Sequence, residues 1–411
     1  HATMKSDIDA LMRARELDAI LIAGGEGYSE VRDYMSNGAH ITGGYIVKKL
    51  GAEPMLFVSG METEEAKKSG YLVKGWNELG FFDLLKEHAP EKATVMFWGK
   101  CLAAAGVESG KVGLYGRGDL NTYVELFSLA NEHFDNLTFV GETRRSLFDE
   151  AFLTKDDAEM ERIKSVAQRT NEVMEATWNY IASHSANDDE TVVDADGNPL
   201  TIGMVKRFVR VQLMERGLED TGMIFAQGRD AGFPHSRGEA EEALQLGKSI
   251  VFDLFPRELG GGYHHDMTRT WCIGYAPDEV QQAYDEVMIA FDKSLEDFGI
   301  GKSTHTMQEV VLDYFESNGH ATSRSDSSAN NGYVHSLGHG VGLLIHERPS
   351  ISHLRKDDVW QVGNVVTIEP GLYYPEKGYG IRVEDLFIII ENGELISLTP
   401  FKKDLVLPLE G

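Results

Sequence analysis

Asp253, Asp266, His339, Glu369 and Glu384 lie in the C-terminal half of a 411-residue chain, each in a setting that suits a metal ligand better than packing. Residues 248–255 and 263–273 are two strand-like apolar runs, and each carries an acid, Asp253 in the first and Asp266 in the second. The Pro-Arg-Glu-Leu-Gly-Gly-Gly between them reads as a turn, which predicts an antiparallel hairpin that sets Asp253 opposite Asp266. Facing carboxylates repel, and burying either one uncompensated is costly. Such a pair therefore shares a proton or binds a cation.

The pattern recurs at residues 363–371, which carry Glu369, and at 380–390, which carry Glu384. Strand alternation places Val365, Thr367 and Glu369 on one face, and Arg382 and Glu384 on one face with Ile381 and Val383 opposed. Between the two acid-bearing pairs, His339 stands between Gly338 and Gly340, residues that permit close backbone approach and leave the imidazole room to reach a ligand. Four carboxylates and one imidazole form a hard, oxygen-rich set. It suits manganese, iron, cobalt or zinc in a reactive site better than a structural zinc site drawn from Cys and His. The joint pattern points to two metal ions and hydrolysis.

The elements that must position these residues fall into two groups. Residues 18–23, 45–48, 54–58, 93–97 and 111–115 are short strand-like runs separated by helical patterns, which predicts an α/β N-terminal domain. The boundary is drawn between a domain of residues 1–152 and one of 153–411. Thr154-Lys-Asp-Asp157 has the form of a capping box opening a helix to about His184, with Ile163, Val166, Thr170, Val173 and Met174 on one stripe. Residues 277–298 form a second amphipathic helix carrying Val280, Tyr284, Val287, Phe291 and Leu295 at helical spacing. The acidic stretch around Asp188 and Asp194 lacks the ligand spacing of a calcium loop.

Composition narrows the class. A formal net charge of −27 argues against nucleic acid or anionic membrane partners. Two cysteines, Cys101 and Cys272, are too few for a disulfide framework, and a reduced cytoplasm is the default compartment. No stretch near the start has the length and apolarity of a signal peptide or membrane span, and His1-Ala-Thr looks like an expression scar before a natural Met4.

Asp253-Leu-Phe, His265-Asp266-Met-Thr-Arg-Thr270, His335-Ser-Leu-Gly-His339-Gly-Val-Gly342, Thr367-Ile-Glu369-Pro-Gly371 and Gly380-Ile-Arg-Val-Glu384-Asp385 together resemble the pita-bread metallopeptidases, in their prolidase and aminopeptidase P branch. The resemblance covers about residues 155 to 405. It implies an α+β protein, a pita-bread catalytic domain behind a smaller α/β creatinase-like domain. It also implies a metal-dependent exopeptidase that cuts the Xaa-Pro bond at the N-terminus of peptides or in dipeptides, through a hydroxide bridging two divalent metal ions. Manganese stands first, with cobalt, iron or zinc admitted.

By that resemblance Asp253 would chelate one ion, Asp266 and Glu384 would bridge both, and His339 with Glu369 would complete the second. Glu369 would also serve as the acid/base. His235, His335 and His346 match positions that hold the substrate amide and stabilise the oxyanion, while Arg382 and Thr268 match bracing positions. His264 shares the face of Asp266 by alternation. Homodimerisation is the family habit. In archaeal-type prolidases an arginine directly follows the proline of the His-Glu-x-Pro motif and meets the dipeptide's carboxylate. Here Ser350 follows Pro349 and the nearby arginine is Arg348, which leaves aminopeptidase P activity open beside dipeptidase activity. The rival readings are a non-peptide small amide or sulfonium substrate on the same metal scaffold, a metal-free creatinase-like hydrolase, and a non-catalytic relative.

Overall fold

The computed structural model describes residues 7–411, so the start assigned to Met4 lies outside the described residues. The chain divides into two compact units, with the boundary between Ala151 and Phe152.

In the first unit a six-stranded mixed sheet runs in the order Leu72–Gly75, Met55–Val58, Tyr45–Lys49, Ala19–Gly24, Gly110–Arg117, Leu137–Val140. Ala19–Gly24 is central, antiparallel to Tyr45–Lys49 and parallel to Gly110–Arg117. Its Ala19, Ile20, Leu21 and Ile22 are all buried, as expected of a strand covered on both faces. The strand expected at 93–97 is instead part of the helix Pro90–Ala104. Pro90 at its first turn opens that helix, and Ala93, Phe97 and Cys101 recur at helical spacing into the core beside Trp98 and Leu102. A short apolar run does not by itself separate a strand from a buried helix face.

The second unit opens with the helix Asp157–Ala182, which buries Ile163, Val166, Thr170, Val173 and Met174. Its capping box is two residues later than the sequence suggests. Asp156 accepts from the Glu159 N–H at 2.9 Å, while Glu159 accepts from the Asp156 N–H at 2.9 Å. Two sheets follow. One runs Ile224–Gln227, Ser249–Leu254, Met267–Ile273, Val406–Leu407. The other runs Glu347–Ile351, Gly338–Gly340, Val365–Ile368, Asp385–Ile389, Leu395–Ser397. Helices Asp278–Asp297 and His305–Ser317 share a core with Val366, Ile368, Ile381, Val383 and Phe387. That apolar face is the one opposed to Thr367, Glu369, Arg382 and Glu384.

The hairpin register differs from expectation. Strands Ser249–Leu254 and Met267–Ile273 are antiparallel, but Asp253 faces Thr268, and Asp266 lies just before its strand on the same side. The segment 263–266 is drawn off the ladder because His264 bridges to Arg257 instead. Asp253 and Asp266 are thus diagonal rather than directly opposed, still within reach of each other.

Asp156→Ala removes the cap of the helix that begins the second unit and is expected to lower that unit's stability by about 1 kcal/mol. The measurement is a shift of its urea midpoint to lower concentration at unchanged slope.

Candidate metal centre

The ladders align four acids. Asp253 faces Thr268, and Thr268 in turn bridges to Glu384, with backbone hydrogen bonds of 3.1 and 3.0 Å. Counting on from Ile368↔Asp385, or back from Gly371↔Arg382, sets Glu369 opposite Glu384. One row therefore crosses the sheets through Asp253, Thr268, Glu384 and Glu369, with Asp266 two residues before Thr268 on the same face.

His339 enters from the neighbouring strand. Its N–H donates to Thr367 Oγ1 at 3.2 Å, and Glu369 N–H donates to the Leu337 carbonyl at 2.7 Å, which holds the two segments together. The flanking glycines are sterically required, since a Cβ on Gly338 would sit 1.9 Å from the Thr367 carbonyl oxygen and one on Gly340 2.1 Å from that of Arg348. The ring's Nδ1 lies 2.9 Å from the Gly340 carbonyl, which assigns the proton there. Nε2 then faces Asp266 Oδ2 at 3.2 Å, Glu369 Oε2 at 3.9 Å and Glu384 Oε2 at 4.0 Å.

One ligand atom from each of Asp266, His339, Glu369 and Glu384 can be chosen within 4.8 Å of one another. Asp253 stands outside that tightest group, with Oδ2 held by Arg382 and Oδ1 without a partner. Asp266 Oδ1 and Glu384 Oε2 are likewise buried with no hydrogen bond. Orphaned carboxylate oxygens gathered on one face are what a divalent cation would satisfy. The donor set fits such ions.

The electrostatics agree. Burial first, then Asp266, holds the Asp253 carboxyl well above the ordinary carboxylate range, with Arg382 opposing. Burial also raises Glu369, against His339 and with Asp266 and Asp253 adding to the rise. Burial pulls His339 down, but its contact with Asp266 and the charge of Glu369 outweigh this and take it up to about 9. A positive centre among these groups would relieve all of the carboxylate shifts at once.

A second layer fixes the first. Thr268 Oγ1 donates to Glu384 Oε1 at 2.8 Å. Arg382 donates from Nη2 to Asp253 Oδ2 at 2.8 Å, and from Nη1 to the Tyr373 hydroxyl at 2.9 Å and the Pro234 carbonyl at 3.2 Å. The last bond ties down the segment that carries His235. Sequence reasoning missed Tyr373, although alternation from Glu369 through Gly371 places it on the same face. Its hydroxyl also lies 2.8 Å from His335 Nε2, while His335 Nδ1 lies 2.7 Å from the Ser336 carbonyl. His335, expected to reach substrate, therefore has both ring nitrogens engaged, and burial holds it neutral with a pKa of about 4.

His235 and His346 differ, for each lines the cleft on its exposed side and makes no hydrogen bond among the described residues. The His346 ring stands edge-on to His339 at 4.4 Å between centroids. Its loop is set by the buried Glu347, which accepts from Lys155 Nζ at 2.7 Å and from the Leu344 N–H at 3.1 Å. His264 is buried with Nδ1 3.0 Å from the Gly342 carbonyl, and His265 is also buried; neither lines the cleft. Arg348 is tied to Asp358 at 2.6 and 3.1 Å. The cleft over the acids has a volume of about 550 Å³, within the range of small-ligand sites.

Arg382→Met leaves the Asp253 carboxylate in its buried position with no counter-charge. The cation-free protein is expected to lose about 3–5 kcal/mol of stability, measured by chemical denaturation of the metal-stripped variant.

Comparison with known proteins bears on this geometry. The Xaa-Pro dipeptidase of Pyrococcus furiosus is 31% identical over 202 residues, which are 49% of this chain and 53% of the relative. The chain spans about half the length of the first curated relatives it matches. Two solved structures share the fold over nearly the whole chain. An Xaa-Pro dipeptidase from Bacillus anthracis has a TM-score of 0.73 at 24% identity, covering 99% of this chain and 98% of the other. An X-Pro aminopeptidase from Thermotoga maritima has 0.74 at 21%, covering 97% and 100%. The architecture is accordingly α+β with a pita-bread second unit. The model of Metallopeptidase family M24 matches residues 161–391, a span that contains every acid of the row, His339 and Arg382, and the chain belongs to that family.

Proposed function

We propose that this chain is an exopeptidase that uses two divalent cations to hydrolyse the bond between an N-terminal residue and proline, in dipeptides or in longer peptides. The observation that carries the reading is the row of carboxylates with orphaned buried oxygens, closed by the Nε2 of His339. The names of the Pyrococcus furiosus and Thermotoga maritima proteins support the choice of proline. Proline needs a specialist for a physical reason. Its tertiary amide has no N–H to donate and its ring fixes φ, so the bond fits general peptidase sites poorly.

Asp253 would hold one cation, His339 and Glu369 the other, with Asp266 and Glu384 shared between them. A set so rich in carboxylate oxygen suits manganese first, and admits cobalt, iron or zinc. When bound, two such ions lower the pKa of a water molecule toward neutrality and polarise a carbonyl. The chain's own residues supply the remainder. Glu369, with 17% of its side chain open to solvent, is more accessible than Asp266 or Glu384 and would move a proton from the attacking water to the leaving proline nitrogen.

His235 and His346, with free ring nitrogens on the open side, are the groups to hold the substrate amide and the oxygen on which charge develops. Arg382 and Thr268 orient Asp253 and Glu384. His335, which also lines the cleft, would support Arg382 through Tyr373.

Metal-stripped protein offered Ala-Pro, Ala-Pro-Ala and Ala-Ala-Ala with and without Mn(II) tests the reading. Manganese-dependent cleavage confined to the two proline peptides is the expected result, with Glu369→Gln lowering kcat by at least about 10²-fold. Stoichiometric metal with no turnover of any peptide would overturn it and point to a non-peptide substrate.

A further inference from the structure

Two arginines line the cleft, and they differ in every respect that matters for binding. Arg382 is buried and its guanidinium is committed to Asp253, Tyr373 and Pro234. Arg237 is exposed, and its guanidinium makes no hydrogen bond or ion pair among the described residues. Its backbone is nevertheless fixed. The Arg237 carbonyl accepts from the Phe225 N–H at 3.3 Å and from Lys206 Nζ at 2.6 Å, which ties it to the strand paired with that of Asp253.

The side chain is steered by Gly222, which shares the cleft wall. A Cβ on Gly222 would stand 3.0 Å from Arg237 Nη2 and 3.3 Å from Cζ, so the guanidinium lies against bare backbone. Gly222 has φ +128°, a conformation that favours glycine, and its N–H is held by Asp220 Oδ1 at 2.9 Å. Asp220 itself faces Arg210, with Oδ2 at 3.4 Å from Nε, which leaves Arg237 without it.

The surroundings explain what an unpaired cation is for. The chain carries a net charge of −27, so an anionic substrate group approaches against repulsion unless a cation awaits it. Lys206 adds positive charge beside Arg237, although burial and then Arg210 hold its pKa below the ordinary value. Arg348, the arginine that sequence reasoning considered for such a task, is occupied by Asp358. A planar guanidinium matches a carboxylate with two parallel hydrogen bonds. In a dipeptide the free carboxylate follows the scissile bond by one residue, a step of roughly 3.5 Å; in a longer peptide the same position is a neutral amide.

We infer that Arg237 binds the free C-terminal carboxylate of the substrate and makes this chain favour dipeptides over longer peptides. The inference rests on the Xaa-Pro peptidase reading above and adds the substrate length to it.

The test compares kcat and KM for Ala-Pro and Ala-Pro amide with the manganese-loaded wild type, Arg237→Gln and Arg237→Lys. The wild type is expected to prefer the free carboxylate in kcat/KM by about tenfold or more. Arg237→Gln should collapse that preference, chiefly through KM, and Arg237→Lys should restore part of it. Equal use of both substrates by the wild type, or a preference that survives in Arg237→Gln, would overturn the inference while leaving the peptidase reading intact. If neither substrate turns over, calorimetric titration with the same two compounds decides. A carboxylate preference in binding that Arg237→Gln abolishes upholds the role of Arg237 and discards the reaction, whereas no preference discards both.

Discussion

Mutual repulsion of carboxylates is the constraint around which the second unit is organised. Asp253, Asp266 and Glu384 are buried and Glu369 half-buried on one face of paired strands, and for Asp253 and Glu369 loss of water and the proximity of like charges both oppose ionisation. Nothing about an isolated hairpin would favour that placement. It persists because the opposite face of the same strands carries Val366, Ile368, Ile381 and Val383 into a core shared with two long helices. With a side-chain period of two, burying those residues fixes which way the acids point. The fold thus spends hydrophobic stabilisation on holding together groups that would separate if free, which is how a cation site of high charge density is preorganised.

The bracing groups answer the same constraint in a different currency of contact. Arg382 gives Asp253 a counter-charge, Thr268 gives Glu384 a donor, and the Gly340 carbonyl takes the Nδ1 proton of His339. Each uses one polar atom of its ligand and leaves the other facing the cluster. That division is what allows the ligands to be both held in place and available. Tyr373 links the system by accepting from Arg382 and lying within hydrogen-bond distance of His335, so the orientation of Asp253 depends on a chain of groups none of which needs to touch substrate.

Much of this site was legible in the sequence because an acid inside an apolar strand is hard to explain by packing, and four such anomalies recur in order around a glycine-bracketed histidine. What was not legible has identifiable causes. Whether Asp253 faces Asp266 or Thr268 depends on how the connection from 256 to 266 leaves the ladder, which alternation does not encode. Tyr373 escaped notice because a tyrosine in a strand reads as core, and only its partners reveal it as polar support. Residues 93–97 satisfy strand and helix patterns equally until the flanking Pro90 and the contacts of Trp98 decide. The engagement of His335 is a matter of where a hydroxyl lies, again beyond pattern.

The clustered acids and the uncommitted groups of the cleft wall sit on different kinds of structure, and this separation has a physical logic. The acids and His339 are on or beside paired strands, whose geometry is set cooperatively by many hydrogen bonds. His235, His346 and Arg237 are on connecting segments, each pinned at one or two backbone points, such as the Pro234 and Arg237 carbonyls. A displacement of a few tenths of an ångström among ligands would change how cations are held, so those positions need a rigid frame. A group that recognises the far end of a substrate tolerates more motion and gains from exposure to solvent, through which the substrate arrives. Charge follows the same partition, with the carboxylates on the rigid floor and the uncommitted guanidinium of Arg237 on the wall.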